Sequence, residues 1–168
     1  MTHPALTIRT ARIEDADLVA ALVSELAEQQ GDRTEHISAD RFRRDAFGDR
    51  PEFEVLIAEW ADAVVGYALF HLSYEPSYSA RGAYLCDLYV RLAARRQGVG
   101  RALAAAVASR TKKLGRSYVW WVAKDWNEPA LAFYRSLGAV STPVVAHALT
   151  FEAFEILARE GARKIQLS

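Results

Sequence analysis

One segment constrains the fold of this chain more than any other, because it joins a strand to a helix through a short basic loop with two glycines. The strand is predicted over residues 83–90. The helix is predicted over 99–114, with Leu103, Val107 and Leu114 on one apolar stripe. A strand followed by a helix that packs back on the sheet leads into a parallel neighbouring strand. The segment therefore predicts an α/β fold with at least one parallel pair.

The other segments predict a mixed, mostly antiparallel sheet with helices on both faces. Hydrophobic spacing predicts further strands at 6–9, 54–60, 64–74, 118–123 and 144–150, and further helices at 14–30, after Ser38, at 127–137 and at 151–159. Ala61-Asp62 indicates a hairpin turn, so the middle strands are expected to be antiparallel. Strand 118–123 is apolar on both faces, which favours a central position in the sheet.

Length and charge narrow the class of protein. With 168 residues, we expect a single domain over 1–168. The formal net charge is zero, which does not indicate a nucleic-acid or membrane partner, since both require a basic excess. Cys86 is the only cysteine, so no intrachain disulfide is possible. With neither a leader-like start nor a run of about 18 apolar residues, we expect a cytoplasmic protein.

The glycine loop predicts an anion site. Glycine lets the backbone approach a ligand, and the first N–H groups of a helix lie unpaired at its positive end. This combination forms a pyrophosphate cradle. Arg95, Arg96 and Arg101 add charged donors beside it.

The spacing within the loop separates the known phosphate motifs. A Walker A loop requires Gly-x-x-x-x-Gly-Lys-Ser/Thr, which is absent here, and a dinucleotide fingerprint requires glycine at position 103, where Leu103 stands. The remaining pattern, Arg95-Arg96-Gln97-Gly98-Val99-Gly100, resembles the acetyl-CoA pyrophosphate loop of the GNAT N-acetyltransferase superfamily. For the hexapeptide alone, an ordinary glycine-softened helix start is the alternative.

A second segment resembles the other half of the same signature. Asn127 follows a strand, the next helix carries Phe133-Tyr134, and Gly138-Ala139 ends it. The similarity extends over about residues 6–158 to the diamine (spermidine/spermine) N-acetyltransferase branch. It is carried by Ala46–Pro51, Leu85–Val90 and Val122–Pro129.

The resemblance implies acetyl-CoA as co-substrate, a parallel strand pair at its site, and no metal. The implied cofactor-binding residues are Leu88, Tyr89, Val90, Arg95, Arg96, Gln97, Gly98, Val99, Gly100, Arg101, Asn127 and Tyr134. Backbone N–H groups of Leu88-Tyr89-Val90 are expected to face the oxyanion.

Two of these residues carry specific expectations. Tyr134 is implied to protonate the departing thiolate, since a phenol pKa of about 10 and a thiol pKa of about 8.5 are close enough for transfer. Packing of a half-buried ring is the alternative for Tyr134. Asn127 is implied to bind the cofactor arm, and an N-cap role is compatible with that.

The amine half of the site departs from the diamine branch. Asp87 is the candidate for binding the amine or accepting its proton, with a purely structural carboxylate as the alternative. Cys86 stands where the branch has a second acidic residue, and the alternative for it is a small buried apolar residue. Glu75 matches an acidic loop position, but Ser77 replaces an aromatic residue of that branch. The predicted substrate-binding residues are Glu75, Cys86 and Asp87, and the catalytic ones are Tyr134 and Asp87.

The sequence therefore predicts an enzyme that acetylates a small primary amine by direct attack. A diamine, a polyamine or a lysine-like amino acid is the expected substrate, and the resemblance implies a homodimer. Two alternatives remain. One is a protein or peptide N-acetyltransferase of the same fold. The other is a non-catalytic acyl-CoA sensor, against which the presence of Tyr134 argues.

Overall fold

The computed structural model describes residues 5–162. The chain divides into two compact units, residues 1–128 and 129–168. The expectation that residues 1–168 act as one domain stays a prediction.

The first unit is built on a five-stranded sheet whose spatial order equals the chain order. Its strands are β1 (Leu6–Thr10), β2 (Glu54–Trp60), β3 (Ala63–Glu75), β4 (Ala80–Val90) and β5 (Tyr118–Trp120). Neighbouring strands are antiparallel except for the parallel pair β4–β5. The predicted α/β fold with a mixed, mostly antiparallel sheet is thus confirmed.

Helices cover both faces of this sheet. On one face lie α1 (Ala16–Gln30) and α2 (Ala39–Phe47), where Val19 and Leu22 pack against Ile57 and Tyr67. On the other face lies α3 (Val99–Lys113). There the fully buried side chains of Leu103 and Val107 pack against Phe70 and Leu56. Burial of these two apolar layers is the main stabilising contribution to the fold.

The β2–β3 connection confirms the predicted hairpin. Trp60 pairs with Ala63, so the loop is the two residues Ala61 and Asp62. Their φ values are 50° and 62°, both left-handed. Two successive left-handed residues form the turn whose twist matches that of the flanking strands.

The strand predicted at 118–123 differs from the observed one. β5 covers only Tyr118–Trp120 and is the last strand of the sheet within the described residues. Val119 packs on the α3 side, whereas Trp120 on the other face is 42 % exposed. The predicted central position of this strand in the sheet was therefore wrong. A pattern of apolar residues on both faces does not distinguish buried aromatic side chains from half-exposed ones.

The second unit contains two helices in its described part, α4 (Glu128–Ser136) and α5 (Phe151–Ala162). Both were predicted, and α4 ends before Gly138 as expected. The strand predicted at 144–150 is wrong, since those residues form no strand and Val144 is 66 % exposed. Alternating apolar residues form a strand only where a neighbouring strand accepts their backbone hydrogen bonds.

Candidate active site

The glycine loop forms the turn that an anion cradle requires. Gly98 is the N-cap of α3 with a φ of 84°, and the first intrahelical bond runs from Ala102 N–H to Gly98 O at 2.9 Å. The N–H groups of Val99 and Gly100 precede that bond, at the positive end of the helix. A Cβ built on Gly98 meets nothing within 4 Å, so the space around this turn is open.

The two arginines at the start of the loop face different surroundings. The Nε of Arg95 donates to Val90 O at 2.8 Å, and its guanidinium also bonds Gln29 and lies 5.9 Å from the centre of the Tyr89 ring. Arg96 is exposed and has a left-handed φ of 60°. Arg95 therefore braces the end of β4 against α1, while Arg96 lies on the solvent side of the loop.

Among the described residues, the C-terminal half of β4 is paired on one side only. Pairing with β5 stops at Tyr84–Trp120, although β4 continues to Val90. Arg91 N–H donates to Val65 O of β3 at 2.9 Å. Counting back from Arg91, successive backbone N–H groups of β4 point alternately toward β3 and away from it. By this alternation, the N–H groups of Leu88 and Val90 point away from β3, toward the side that β5 does not reach. These are donors of the kind that an oxyanion site needs.

A β-bulge in β4 places Cys86 and Asp87. Leu69 pairs with Asp87 and Phe70 pairs with Leu85, so Cys86 is the extra residue of the bulge. The bulge re-aims the side chains on either side of it. Both amine-side candidates on β4 therefore lie at one irregularity of the strand.

The Asp87 carboxylate is held by a buried tyrosine. The Tyr67 hydroxyl on β3 donates to Asp87 Oδ2 at 2.9 Å, and Tyr67 is fully buried. Desolvation raises the pKa of Asp87, and the bond from Tyr67 partly opposes that rise. A carboxyl group with a raised pKa is better matched to proton transfer near neutral pH than an exposed one.

The Cys86 thiol is a poor nucleophile here. The residue is exposed, which contradicts the alternative of a buried apolar cysteine. Partial desolvation of the thiol, and then the Asp87 carboxylate, raise its pKa to about 11. It therefore stays protonated at neutral pH, and the thiolate is the reactive form.

The structure separates Glu75 from Asp87. Glu75 Oε1 accepts the Ser77 N–H at 3.0 Å, and this bond lowers the pKa of Glu75. Glu75 pairs with Ala80, and at about 3.3 Å per residue the distance along β4 from there to Asp87 is roughly 20 Å. Glu75 therefore caps its own turn at the far end of the hairpin.

Sequence reasoning missed a polar network at the end of β4. Glu25 on α1 accepts from the Tyr89 hydroxyl at 3.1 Å and from Arg91 Nη2 at 2.6 Å. The Arg91 and then the Tyr89 hydrogen bonds lower the pKa of Glu25. Tyr67 was missed as well, although a lone tyrosine among apolar residues of a buried strand is a usable signal, since its hydroxyl requires a partner.

The remaining candidates are Asn127, at the end of the first unit, and Tyr134, within the second. The Asn127 N–H donates to Lys124 O at 3.0 Å, and Asn127 is half-buried just before α4. Tyr134 lies on α4 in the second unit, half-buried, with its ring 5.4 Å from that of Phe133. The helical position of Tyr134 agrees with the sequence, and its catalytic role stays a prediction.

Across 5–162, no three His, Cys, Asp or Glu side chains are grouped so that they could hold a metal ion. Within the same range, no helix has the length and apolar character required to cross a membrane.

The glycine turn and the half-paired strand can be compared with known families. The profile described as the acetyltransferase (GNAT) family matches residues 19–139, most of the chain. The chain belongs to the GNAT acetyltransferase family. It is an N-acetyltransferase with relatives in the diamine branch, as the sequence predicted.

Named relatives of this GNAT enzyme act on amines. It is 35% identical over 142 residues to the thialysine N-epsilon-acetyltransferase of Bos taurus, covering 79% of this chain and 82% of that one. It is 30% identical to the spermidine/spermine N(1)-acetyltransferase-like protein 1 of Homo sapiens, over 89% of this chain and 23% of that one. An aminoglycoside acetyltransferase from a soil metagenome shares the fold with a TM-score of 0.75 at 22% identity, over 88% of this chain and 97% of that one.

Proposed function

We propose that this GNAT enzyme uses acetyl-CoA to acetylate a small primary amine by direct attack. A diamine, a polyamine or a lysine-like amino acid is the substrate class. The observation that carries the proposal is the open glycine turn at Gly98 followed by α3, next to a strand whose half from Leu85 to Val90 lacks a β5 partner. The amine-directed relatives support the acceptor class.

The cofactor half of the site fits a CoA thioester. The first-turn N–H groups of Val99 and Gly100 are suited to the pyrophosphate, with Arg96 beside them as a charged donor. The N–H groups of Leu88 and Val90 are suited to hold the acyl carbonyl. The bound thioester supplies the acyl group and its leaving thiol.

The proton steps follow from the groups at the bulge. An aliphatic ammonium has a pKa of about 10.4, so it must lose a proton before it can attack. Asp87, directly or through a water, accepts that proton. The amine nitrogen then bonds to the carbonyl carbon and the C–S bond breaks. N–H groups of β4 stabilise the negative charge that develops on the carbonyl oxygen.

Tyr134 completes the proton balance. Its hydroxyl gives a proton to the departing thiolate and regains one from solvent, while the nitrogen loses its second proton to solvent. The net products are the acetylamide, the free thiol and one proton. This role for Tyr134 rests on the family resemblance of the Asn127–Tyr134 segment. The homodimer and the cytoplasmic location are proposals on the same ground.

The decisive experiment measures thiol release from acetyl-CoA in the presence of amines, amino acids and peptides. We expect small amines to accelerate release and the acetylated amine to appear by mass spectrometry. Acceleration by peptides alone would favour the protein N-acetyltransferase. Binding of acetyl-CoA with no amine-dependent release would instead identify a sensor and overturn the proposal.

A further inference from the structure

Three aromatic rings form a row across β3, β4 and β5, at the last residue pair that joins β4 to β5. His71, Tyr84 and Trp120 are direct partners across β3, β4 and β5. The ring centres lie 5.4 Å apart for His71–Tyr84 and 4.8 Å apart for Tyr84–Trp120. His71 and Tyr84 are half-buried and Trp120 is exposed, so this aromatic row presents a ring surface to solvent.

The aromatic row lies next to Asp87 on the same face of the sheet. Leu85 packs on the α3 side, so Tyr84 points to the opposite face, toward which the bulge also turns Asp87. The Leu69–Asp87 pair lies on one side of the bulge and Phe70–Leu85 on the other, and His71–Tyr84 is the next pair along. Desolvation, then the neighbouring Cys86 and Asp87 side chains, raise the pKa of the Tyr84 phenol, which agrees with the proximity of Tyr84 to Asp87.

At the β4 bulge the negative charge comes from one carboxylate, that of Asp87. Position 86 carries a neutral thiol rather than an acid. The Tyr67 hydroxyl already occupies one oxygen of Asp87, which leaves Oδ1 for an incoming ammonium. Glu75 lies roughly 20 Å away along the strand, beyond the reach of a short diamine held at Asp87.

A second ammonium would therefore meet the aromatic row. An exposed ring face attracts a cation only weakly, by about 0.5–1 kcal/mol. A flat apolar group, by contrast, stacks on the rings and buries apolar surface on both sides.

We propose that Asp87 and the aromatic row His71–Tyr84–Trp120 select an amine with one ammonium group on a flat apolar body, an arylalkylamine, in preference to a diamine. The inference rests on the proposed acetylation of a small primary amine, and it replaces the diamine, polyamine or lysine-like acceptor with an arylalkylamine. Asp87 fixes the ammonium end, and the aromatic row holds the body of the substrate.

The test compares kcat/KM for phenethylamine, putrescine, spermidine and lysine with saturating acetyl-CoA. We expect phenethylamine to exceed putrescine by at least about tenfold, the equivalent of one stacked ring. Trp120→Leu should raise KM for phenethylamine by about tenfold and leave KM for acetyl-CoA unchanged. Tyr78→Leu is the matched control, since Tyr78 is 80 % exposed and lies outside the aromatic row.

A second variant tests the charge argument in the opposite direction. Cys86→Glu adds a carboxylate beside Asp87 and should move the phenethylamine-to-putrescine ratio toward the diamine by about tenfold. Circular dichroism and the unchanged KM for acetyl-CoA establish that each variant is folded.

The outcomes separate the two proposals. Efficient acetylation of putrescine or lysine by the natural enzyme, with no selective effect of Trp120→Leu, overturns the inference and leaves the acetyltransferase function intact. Absence of thiol release with every amine overturns both. Preference for phenethylamine that Trp120→Leu reduces and Cys86→Glu reverses supports the inference.

Discussion

At the scale of single residues, the buried hydroxyl of Tyr67 stands out because it donates a hydrogen bond to the Asp87 carboxylate. Its bond to Asp87 opposes the rise in pKa that burial causes. In the proposed mechanism Asp87 accepts a proton and must be ionised to do so, so we expect the pH range of activity to depend on this bond.

Tyr67→Phe should therefore raise the pKa of Asp87 further. The acid limb of the pH profile of kcat/KM should move to higher pH, because Asp87 then ionises later. Tyr118→Phe is a matched control, since its buried hydroxyl makes no hydrogen bond with the described residues. An acid limb that moves equally in both variants would show that Tyr67 acts only through packing.

Tyr134→Phe tests the proposed acid separately. Removing a general acid typically costs about 100-fold or more in rate. We expect kcat for the identified amine to fall by that order while acetyl-CoA still binds, as measured by calorimetry. Unchanged turnover would remove Tyr134 from the acid role.

At the scale of elements, the end of β4 is tied to α1 by an ion pair. Glu25 and Arg91 are each about one third exposed, so solvent screens their attraction. The pair still joins the helix to the strand that carries Leu88 and Val90.

Glu25→Gln should lower the free energy of unfolding at pH 7 by about 0.5–1 kcal/mol. The Arg91 and Tyr89 bonds lower the pKa of Glu25 in the folded state. That stabilisation is therefore present above the ordinary glutamate pKa and is lost as pH falls through the lowered value. Urea unfolding across this range measures it, and Glu28→Gln on the exposed side of α1 is the control.

The sequence predicted those elements whose signals are local. The strand, the loop and the Gly98 helix start are adjacent in the chain, so their order and the parallel pair followed from pattern alone. Tyr67–Asp87 and Glu25–Arg91 join distant positions. The β3–β4 register brings the first pair together, and the packing of α1 on the sheet brings the second together. The strand predicted at 144–150 failed for the same reason, since a strand requires a neighbour that pattern does not supply.

At the scale of the whole molecule, the sheet separates two apolar layers of different character. The α3 layer contains fully buried aliphatic side chains such as Leu103 and Val107. The layer under α1 and α2 also contains Tyr67 and Tyr89, whose hydroxyls bond acidic groups. Both layers thus contribute to stability, and the polar network lies in the layer under α1 and α2.

Leu103→Ala should destabilise the fold by about 3 kcal/mol, because it leaves a cavity in a fully buried layer. The melting temperature, measured by calorimetry, should fall by about 6–12 °C. Leu92→Ala is the control, since Leu92 is 78 % exposed and should change stability by less than about 0.5 kcal/mol. Equal effects of the two changes would contradict this account of the core.

The half-paired strand has a consequence for how such enzymes diversify. In the proposed mechanism, Leu88 and Val90 serve the acyl group through main-chain N–H groups, which a substitution other than proline does not remove. In the same mechanism, the amine is bound by side chains at the bulge and on the aromatic row. A single substitution changes each of these side chains. Substitutions at positions such as Cys86 and Trp120 can therefore change the amine specificity, while the main-chain donors that serve acyl transfer remain in place.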